Sequence, residues 1–387
     1  MKIEELKAIL WEKKSNFALF YNPDSTKINP NMFYFSGYKG IGALIIQKNK
    51  HPFLIVPKME FQRAKKSMVK KIYSMEKNKF FESVYNIVKK YNIKTKNIAI
   101  DKNNFTLNSF KHFNKHFKEV KIKDVSLDCL KLREIKTEKE IQYLKKSCNY
   151  ADNILQNALN NFTSFKTESE VAAFLEYETK KLGLELSFNP IVASGSNGSM
   201  PHYEPSNTII KKGFCVVDFG VKYKGYCSDI TRTIYVGKPS EKEKKIYNLL
   251  LTIQKKTINE IKNNKKCSEL YNYAITSLGK YKNNFIHGLG HGVGIEIHEL
   301  PNLSLNSKDR IKSNMVFTIE PGIYFPKRFG IRIEDTVLFK DTSVVLTKTP
   351  KDLYIFRDIS WIKMSGGMQD AKNEKNKWNV WHASIYR

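Results

Sequence analysis

The sequence of 387 residues contains no apolar run close to the roughly 20 residues that a membrane-spanning helix requires. Its first residues, MKIEELKAILWEKK, lack the apolar core of a secretory signal peptide. The five cysteines are odd in number and form no CxxC pair, which argues against a disulfide framework and a zinc finger. These absences favour a cytoplasmic protein that has no membrane contact and whose thiols are free or buried.

Acidic residues are scarce relative to basic ones. The chain has 66 Lys and Arg against 38 Asp and Glu, a formal net charge of +28. The excess is mostly Lys, spread along the chain and mixed with Asn, and no basic tract with interleaved aromatic residues occurs. We therefore predict no specific nucleic-acid partner, although a charge of this size favours nonspecific binding of polyanions at low salt.

Hydrophobic residues make up 41% of the chain, and its length is sufficient for two domains. In residues 1–125, the segments NFALFY, GALIIQK, PFLIVPK and NIAID have the composition of strands. Two amphipathic stretches between these strands, around Glu60–Met68 and Phe81–Tyr91, are predicted to be helices. This alternation predicts a smaller N-terminal α/β domain. It carries no Gly-rich phosphate loop and no cluster of catalytic residue types, so we interpret it as a scaffold or cap.

A second, mixed α and β domain is predicted over residues 126–356. Thr137 and Glu140 form a capping-box pattern at the start of one helix, and Gly183 closes the next. The chain is then rich in strands, with two more helices near 241–262 and 268–281. Residues 357–387 contain Trp361, Trp378 and Trp381 and are predicted to be a C-terminal extension of unknown role.

Two aspartates lie in a predicted hairpin in the second domain. Asp218 ends the apolar run CVVDFG, and Asp229 lies in GYCSDITRTIYVG. A turn centred near Tyr223–Lys224 would place the two carboxylates directly opposite each other, about 5 Å apart. Buried carboxylates at that distance repel each other and lose hydration, so a shared cation or a shared proton is needed.

Two glutamates repeat this arrangement. The segment TIEPGIYFPKRFGIRIEDT reads as strand, turn and strand, with its turn around Pro326–Arg328. Glu320 and Glu334 are then cross-strand partners. Two opposed acidic pairs, each bordered by apolar residues, indicate a metal site more strongly than one pair would.

Histidines are concentrated in the segment FIHGLGHGVGIEIHE. The four-residue spacing of His287 and His291 would suit a helical zinc motif, but alternate glycines argue against a helix. On an extended strand these two side chains share a face, and His298 points the other way unless a bulge or turn intervenes. Spacing alone does not select the metal-binding histidine.

Four carboxylates and one imidazole suit two divalent ions, because four negative charges neutralise two ions of charge +2. Oxygen-rich ligation favours a hard ion such as Mn²⁺, with Co²⁺, Fe²⁺ or Zn²⁺ as alternatives. Two such ions can share a bridging hydroxide that attacks a polarised carbonyl. The predicted chemistry is therefore hydrolysis.

The ordered motifs VVDFG, YCSDITRT, HGLGHGVG, IEPGIY and RIEDT resemble those of the pita-bread metallopeptidases. That family includes Xaa-Pro dipeptidase (prolidase), aminopeptidase P, methionine aminopeptidase and creatinase. The resemblance covers about residues 130–355, and NMFYFSGYKG resembles the N-terminal domain of the proline-specific branch. It implies an α+β protein, in which a C-terminal pita-bread (creatinase/aminopeptidase) domain follows a smaller N-terminal α/β domain. It also implies a homodimer.

The resemblance further implies a set of five metal ligands: Asp218, Asp229, His291, Glu320 and Glu334. Asp229 and Glu334 would bridge the two ions. Asp218 would complete the ligand set of one ion, and His291 and Glu320 would complete that of the other.

Further residues receive roles by the same resemblance. Glu320 would exchange a proton with the attacking water. His202, in MPHYEPS, would contact substrate near the scissile bond. Three more catalytic positions match the proline-specific members: His287, His298 and Arg332. Thr231 would hydrogen-bond a metal-binding aspartate, whereas Tyr226 and Tyr324 are interpreted as core aromatic residues.

The function that the resemblance implies is that of a dinuclear-metal exopeptidase that hydrolyses Xaa-Pro bonds in di- or oligopeptides. Prolidase is favoured over aminopeptidase P because the matching part is short. Methionine aminopeptidase is disfavoured by the N-terminal domain and the extra histidines, and creatinase because it lacks the metal ligands. A non-catalytic pita-bread protein that binds nucleic acid or protein is the alternative from another class, and the intact ligands argue against it.

Overall fold

Two mixed α and β regions follow one another along the chain, and the computed structural model describes residues 2–24, 26, 28–75 and 79–357. All five cysteines are buried and unpaired, as predicted. In these ranges no helix is long and apolar enough to cross a membrane. The predicted extension lies outside the described residues apart from Arg357.

The N-terminal region is built on one six-stranded sheet of order β4-β3-β2-β1-β5-β6. The strands are β1 Phe17–Asn22, β2 Gly42–Gln47, β3 Phe53–Val56, β4 Lys71–Ser74, β5 Asn97–Ile100 and β6 Lys121–Asp124. The helices are α1 Ile3–Glu12, α2 Pro30–Ser36, α3 Phe61–Ala64, α4 Phe80–Lys90 and α5 Leu107–His116. This arrangement confirms the predicted α/β fold.

Strand β1 shows why this sheet holds the domain together. Alternate residues of β1 enter two different apolar clusters, Phe17 and Leu19 in one and Ala18 and Phe20 in the other, so both sheet faces are covered. The four predicted strands are β1, β2, β3 and β5. The edge strands β4 and β6 were missed because each is only four residues long and has a polar residue at both ends. The helix predicted around 60–68 is confined to α3 and a preceding 3₁₀ turn.

Two successive helices of the second region begin at capping boxes, and the first of these boxes is the predicted one. Thr137 and Glu140 cap one helix, and Thr167 with Glu170 caps the next. Gly183 has φ +68° just beyond that helix, a left-handed conformation that glycine adopts without strain. The helices are α6 Ser126–Glu134, α7 Glu138–Asn160, α8 Glu168–Lys181, α9 Glu241–Asn259 and α10 Cys267–Ser277.

Its strands form several small sheets of orders β11-β10-β7, β20-β12-β9-β8, β14-β13-β15-β18-β19 and β16-β17. The first strands are β7 Glu185–Leu186, β8 Ile191–Ser194, β9 Gly213–Phe219, β10 Val221–Tyr223, β11 Tyr226–Cys227 and β12 Ile230–Val236. The others are β13 Gly290–Gly292, β14 Glu299–Leu303, β15 Met315–Ile319, β16 Gly322–Phe325, β17 Phe329–Arg332, β18 Asp335–Phe339, β19 Ser343–Val345 and β20 Ile355–Phe356. The predicted acidic and histidine motifs lie on or beside the strands of these sheets.

Candidate metal centre

The aspartate hairpin has a different register from the predicted one. Its tight turn is Lys224–Gly225, with φ values of +52° and +86°, and Tyr223 pairs with Tyr226. Asp218 therefore faces Thr231, not Asp229. The prediction of directly opposed aspartates was wrong, because the turn lies one residue later than assumed. Asp229 is two residues from Thr231, so it becomes a diagonal neighbour of Asp218 on the same face.

The glutamate hairpin has the predicted register. Ile319 pairs with Asp335 before the two glutamates, and Gly322 pairs with Arg332 beyond them. Both pairings belong to one continuous register, which places Glu320 opposite Glu334. The turn between Phe325 and Phe329 lies at the predicted position.

The histidine segment is not a regular strand. Only Gly290–Gly292 is extended, and its pairing with β14 shifts register between His291 and Gly292. The chain then turns back, so the rings of His291 and His298 lie 4.3 Å apart between centroids. On a regular strand the alternation of side chains would have pointed His298 away from this site, and the bulge with its turn brings it back.

Three side chains form the tightest group of ligand atoms in the described residues: Asp229, His291 and Glu334, whose ligand atoms all lie within 4.8 Å of one another. His291 Nε2 lies 3.5 Å from Asp229 Oδ2 and 3.4 Å from Glu320 Oε1. The four residues come from different strands and loops, so only the packed sheets bring them together.

Burial and mutual repulsion perturb the carboxylates of this group. Burial, followed by the charges of Glu334 and Asp218, raises the pKa of Asp229 well above its ordinary value. Burial, followed by Glu320 and Asp218, raises the pKa of Glu334 in the same way. Burial lowers the pKa of His291, which favours the neutral imidazole that binds metals. Without a cation these groups destabilise one another.

Unpartnered oxygens support a cation at this position. Asp218 Oδ1 and Asp229 Oδ1 are buried and have no hydrogen-bond partner in the described residues. Buried polar atoms are almost always hydrogen-bonded, so two orphaned carboxylate oxygens in one site require an explanation. A divalent ion would supply it, and the donor set of carboxylates and an imidazole is one that such ions accept.

Arg332 lies at the centre of a hydrogen-bond network beside these carboxylates. Its Nη2 donates to Asp218 Oδ2 at 2.7 Å, its Nη1 to the Tyr324 hydroxyl at 2.8 Å, and its Nε to Thr231 Oγ1 at 3.2 Å. Thr231 Oγ1 in turn donates to Glu334 Oε2 at 2.6 Å. The expectation that Thr231 bonds an aspartate was wrong. The Thr231 hydroxyl donates to Glu334 instead, because Glu334 follows the end of β17 and lies beside Thr231.

One cavity of about 670 Å³ contains all nine site residues predicted from the sequence. His202 lies at its exposed side, and the preceding carbonyl of Pro201 accepts from Arg332 Nη1 at 3.3 Å. Residue Leu130 is the first in the chain to line this cavity. The N-terminal region therefore supplies no lining side chain within its described ranges.

The turn that carries His298 is held by a buried ion-pair network. Glu299 Oε1 accepts the backbone N–H groups of Ile295 and Glu296 at 3.0 and 3.1 Å. The other oxygen, Oε2, lies 3.3 Å from Lys136 Nζ, and both side chains are 1% exposed. Arg133 also contacts Glu299, at 3.6 Å. Arg133 and Lys136, near the start of the second region, thus restrain the turn that carries His298.

Sequence reasoning missed two residues of the site's surroundings. Thr318 Oγ1 accepts the backbone N–H of His291 and donates to Glu320 Oε1, at 3.1 and 3.2 Å. Its position two residues before Glu320 on β15 was the available signal, because alternate residues share a face. Tyr324 is buried, as interpreted, but its hydroxyl also lies 2.9 Å from His287 Nε2. A core position therefore does not exclude contact with the site.

The chain matches two families: "Metallopeptidase family M24" over residues 142–341 and "Creatinase/Prolidase N-terminal domain" over residues 2–135. The first match covers more than half of the chain. The protein belongs to metallopeptidase family M24. The pita-bread architecture preceded by a creatinase-type α/β domain is thereby confirmed, and so is assignment to the metallopeptidases.

Similar proteins carry proline-specific names. This M24 protein is 40% identical over 331 residues to the Xaa-Pro dipeptidase of Pyrococcus furiosus, covering 84% of this chain and 92% of that one. The solved prolidase of Pyrococcus horikoshii is 35% identical, with a TM-score of 0.82 over 91% of this chain and 99% of that one. The X-Pro aminopeptidase of Thermotoga maritima is 30% identical, with a TM-score of 0.82 over 89% and 99%.

Proposed function

We propose that this M24 protein is a metal-dependent exopeptidase that hydrolyses Xaa-Pro bonds, with Xaa-Pro dipeptides as its principal substrates. The observation that carries the proposal is the convergence of the four predicted carboxylates, four histidines and one arginine on one cavity. Relatives named Xaa-Pro dipeptidase support the dipeptide preference at 40% identity. The similarity to an X-Pro aminopeptidase keeps that activity as the alternative.

We propose the five predicted ligands, Asp218, Asp229, His291, Glu320 and Glu334, as the holders of two divalent ions, with Mn²⁺ preferred. The bound ions would activate a water molecule and polarise the scissile carbonyl. Two roles of the chain's own residues follow directly from the geometry. Arg332 holds Asp218 and Thr231 holds Glu334. The unpartnered Oδ1 atoms of the two aspartates remain available to bind an ion.

Glu320 is suited to move a proton. Burial raises its pKa, so its carboxyl group accepts a proton more readily than an exposed glutamate does. Thr318 Oγ1 holds one oxygen at 3.2 Å, and His287 Nδ1 lies 4.0 Å from the other. Glu320 would take a proton from the attacking water and return it to the proline nitrogen, which leaves as a secondary amine.

The remaining histidines would orient the substrate. Burial, followed by the neighbouring His291, lowers the pKa of His298, so at neutral pH its neutral ring can donate one hydrogen bond. His298 and His202 face the same cavity and would hold the carbonyl oxygen as it gains negative charge. The Xaa-Pro nitrogen has no N–H, so the scissile bond itself offers its carbonyl oxygen and the shape of the proline ring for recognition.

Two further parts of the interpretation belong to the same proposal. Residues 1–125 would act as scaffold and residues 126–356 as the catalytic domain. The active species would be a homodimer, because the family resemblance implies one. Light scattering tests the assembly, and metal analysis after reconstitution tests for two ions per chain.

A cleavage panel tests the activity. The protein is stripped with a chelator, reloaded with Mn²⁺ or Co²⁺, and assayed on Ala-Pro, Ala-Pro-Ala and Ala-Ala, with Asp229→Asn as the inactive control. We expect release of proline from Ala-Pro. Cleavage of Ala-Pro-Ala alone would favour the aminopeptidase alternative. No cleavage of either proline peptide would reject the proposal, and a chain that also fails to bind divalent ions would instead fit a binding protein.

A further inference from the structure

The loop between β8 and β9 forms one wall of the cavity. It includes a 3₁₀ turn, Gly195–Ser199, followed by Pro201, His202 and Tyr203, all three of which line the cavity. The loop is packed tightly against the glutamate hairpin, because a Cβ atom on Gly330 would lie 1.8 Å from the Gly198 carbonyl oxygen. The position of His202 therefore depends on how this loop is fixed.

Glu168, in the first turn of α8, fixes the loop from behind. Its Oε1 accepts from the Ser194 N–H at 2.7 Å and from Ser194 Oγ at 2.8 Å. Asn197 Nδ2 lies 3.1 Å from each carboxylate oxygen, and the Tyr203 hydroxyl donates to Oε2 at 2.8 Å. One carboxylate thus binds the end of β8 and two positions within the loop.

This carboxylate is unusual in its surroundings. Glu168 is 0% exposed, yet it takes part in none of the ion pairs in the described residues. A buried charge without a cation is costly unless neutral donors surround it, and charge-assisted hydrogen bonds are the stronger kind. The N-terminus of α8 also favours a negative charge at this position. The donors of the loop are therefore held tightly around Glu168.

The far end of the loop is attached to the same helix. The Glu168 N–H donates to the Thr208 carbonyl at 3.1 Å, and the Ser169 N–H donates to the Ser206 carbonyl at 3.0 Å. Asn197 and Tyr203 bracket His202, and both bind the Glu168 carboxylate. We propose that Glu168 is a positioning residue that orients His202 toward the cavity. Its catalytic consequence rests on the proposed function, but its effect on the loop does not.

Hydrogen exchange tests the effect on the loop in metal-loaded full-length protein. Glu168→Gln replaces one acceptor oxygen by an NH₂ group, which would face the donors that now bind the carboxylate. Amide hydrogen exchange should therefore accelerate in peptides covering residues 195–206. Glu170→Gln is the matched control, since Glu170 lies in the same turn and its side chain, among the described residues, bonds only the Lys166 and Thr167 N–H groups. Unchanged exchange in the loop of Glu168→Gln would overturn the proposal. Tyr203→Phe removes one of the bonds to Glu168 together with the hydroxyl's bonds to Asn197 and Ser206. It should give the same change more weakly if Glu168→Gln does not fold.

Kinetics test whether Glu168 acts through His202. Glu168→Gln should lower kcat/KM for Ala-Pro by about tenfold or more, because small misplacements of catalytic groups are costly. Bound metal and exchange in the ligand-bearing strands should stay unchanged. In a His202→Ala background the same substitution should lower kcat/KM by no more than about twofold. Equal losses in both backgrounds would overturn the role through His202. An inactive wild-type protein would reject the proposed function, while the exchange result would still decide whether Glu168 positions the loop.

Discussion

Asp229 and Asp335 are two buried aspartates that should respond in opposite ways to the same substitution. Asp229 is 4% exposed, its Oδ1 has no partner, and its main neighbours are carboxylates. Asp335 is 0% exposed and lies 2.8 Å from Arg232 Nη2 and 2.5 Å from Lys351 Nζ. Burial raises the pKa of Asp229, whereas Arg232 and Lys351 outweigh burial and lower the pKa of Asp335.

The expected magnitudes follow from these surroundings. A buried acceptor without a partner costs about 1–3 kcal/mol, and more when charged. In metal-free protein at pH 7, Asp229→Asn should therefore raise the free energy of unfolding by about 1 kcal/mol or more. Asp335→Asn should lower it by about 3–5 kcal/mol, because it leaves two cations with an uncharged partner.

Metal binding should invert the order for Asp229. A ligand present at 100 times its Kd stabilises the native state by about 2.7 kcal/mol. Wild-type protein should gain that amount with Mn²⁺, and Asp229→Asn should gain much less. Urea unfolding followed by circular dichroism, with chelator or with Mn²⁺, measures both effects. The reasoning is refuted if metal-free Asp229→Asn is less stable than wild type, or if both gain equally from the ion.

Three further predictions concern the same centre. In chelator, wild type should lose unfolding free energy relative to the double variant Asp229→Asn, Glu334→Gln as pH rises from about 4 to 8, because the raised pKa values of Asp229 and Glu334 make the native wild type bind protons that its unfolded chain releases, while the lowered histidine pKa values act in both proteins; a relative gain of wild type over that range would contradict the pKa assignment of Asp229 and Glu334. Thr231→Val removes the hydroxyl that holds Glu334 and should weaken metal binding about 10–100-fold in a competition titration; unchanged affinity would show that Thr231 has no such role. Glu299→Gln should cost about 3–5 kcal/mol in urea unfolding, since Lys136 stays buried without its charge partner, while Arg133 loses Glu299 but keeps Glu296; a cost below about 1 kcal/mol would mean that water reaches these groups.

Local signals in the sequence were sufficient for much of the fold. The capping box at Thr137 acts within one helical turn, so that helix begins where the sequence pattern indicates. The turn near Lys327 has φ +59°, and the register on either side of it follows from counting residues. The facing positions of Glu320 and Glu334 were predictable for that reason. The order of the motifs also led to the correct family.

Other features depended on backbone conformation that composition does not reveal. The turn at Lys224–Gly225 shifts the register between the strands that carry Asp218 and Asp229, because both turn residues have a left-handed backbone conformation. Lysine rarely adopts that conformation, so the sequence did not indicate where the turn lies. The bulge after His291 likewise arises where β13 meets two neighbouring strands. The bulge changes which side chains share a face, since one residue inserted in a strand reverses the alternation. The turn only moves Asp229 from a position opposite Asp218 to a diagonal position on the same face.

The sequence by itself determined the residue types, their order and the strands that carry them, because these depend on neighbours close along the chain. Only the tertiary structure decided which of them meet. Arg332 with Asp218 and Thr231 with Glu334 are separated by more than 100 residues in the chain. So is the contact between Glu299 and Lys136. Contacts of this kind form when separate sheets pack around one cavity, and no local pattern encodes that geometry.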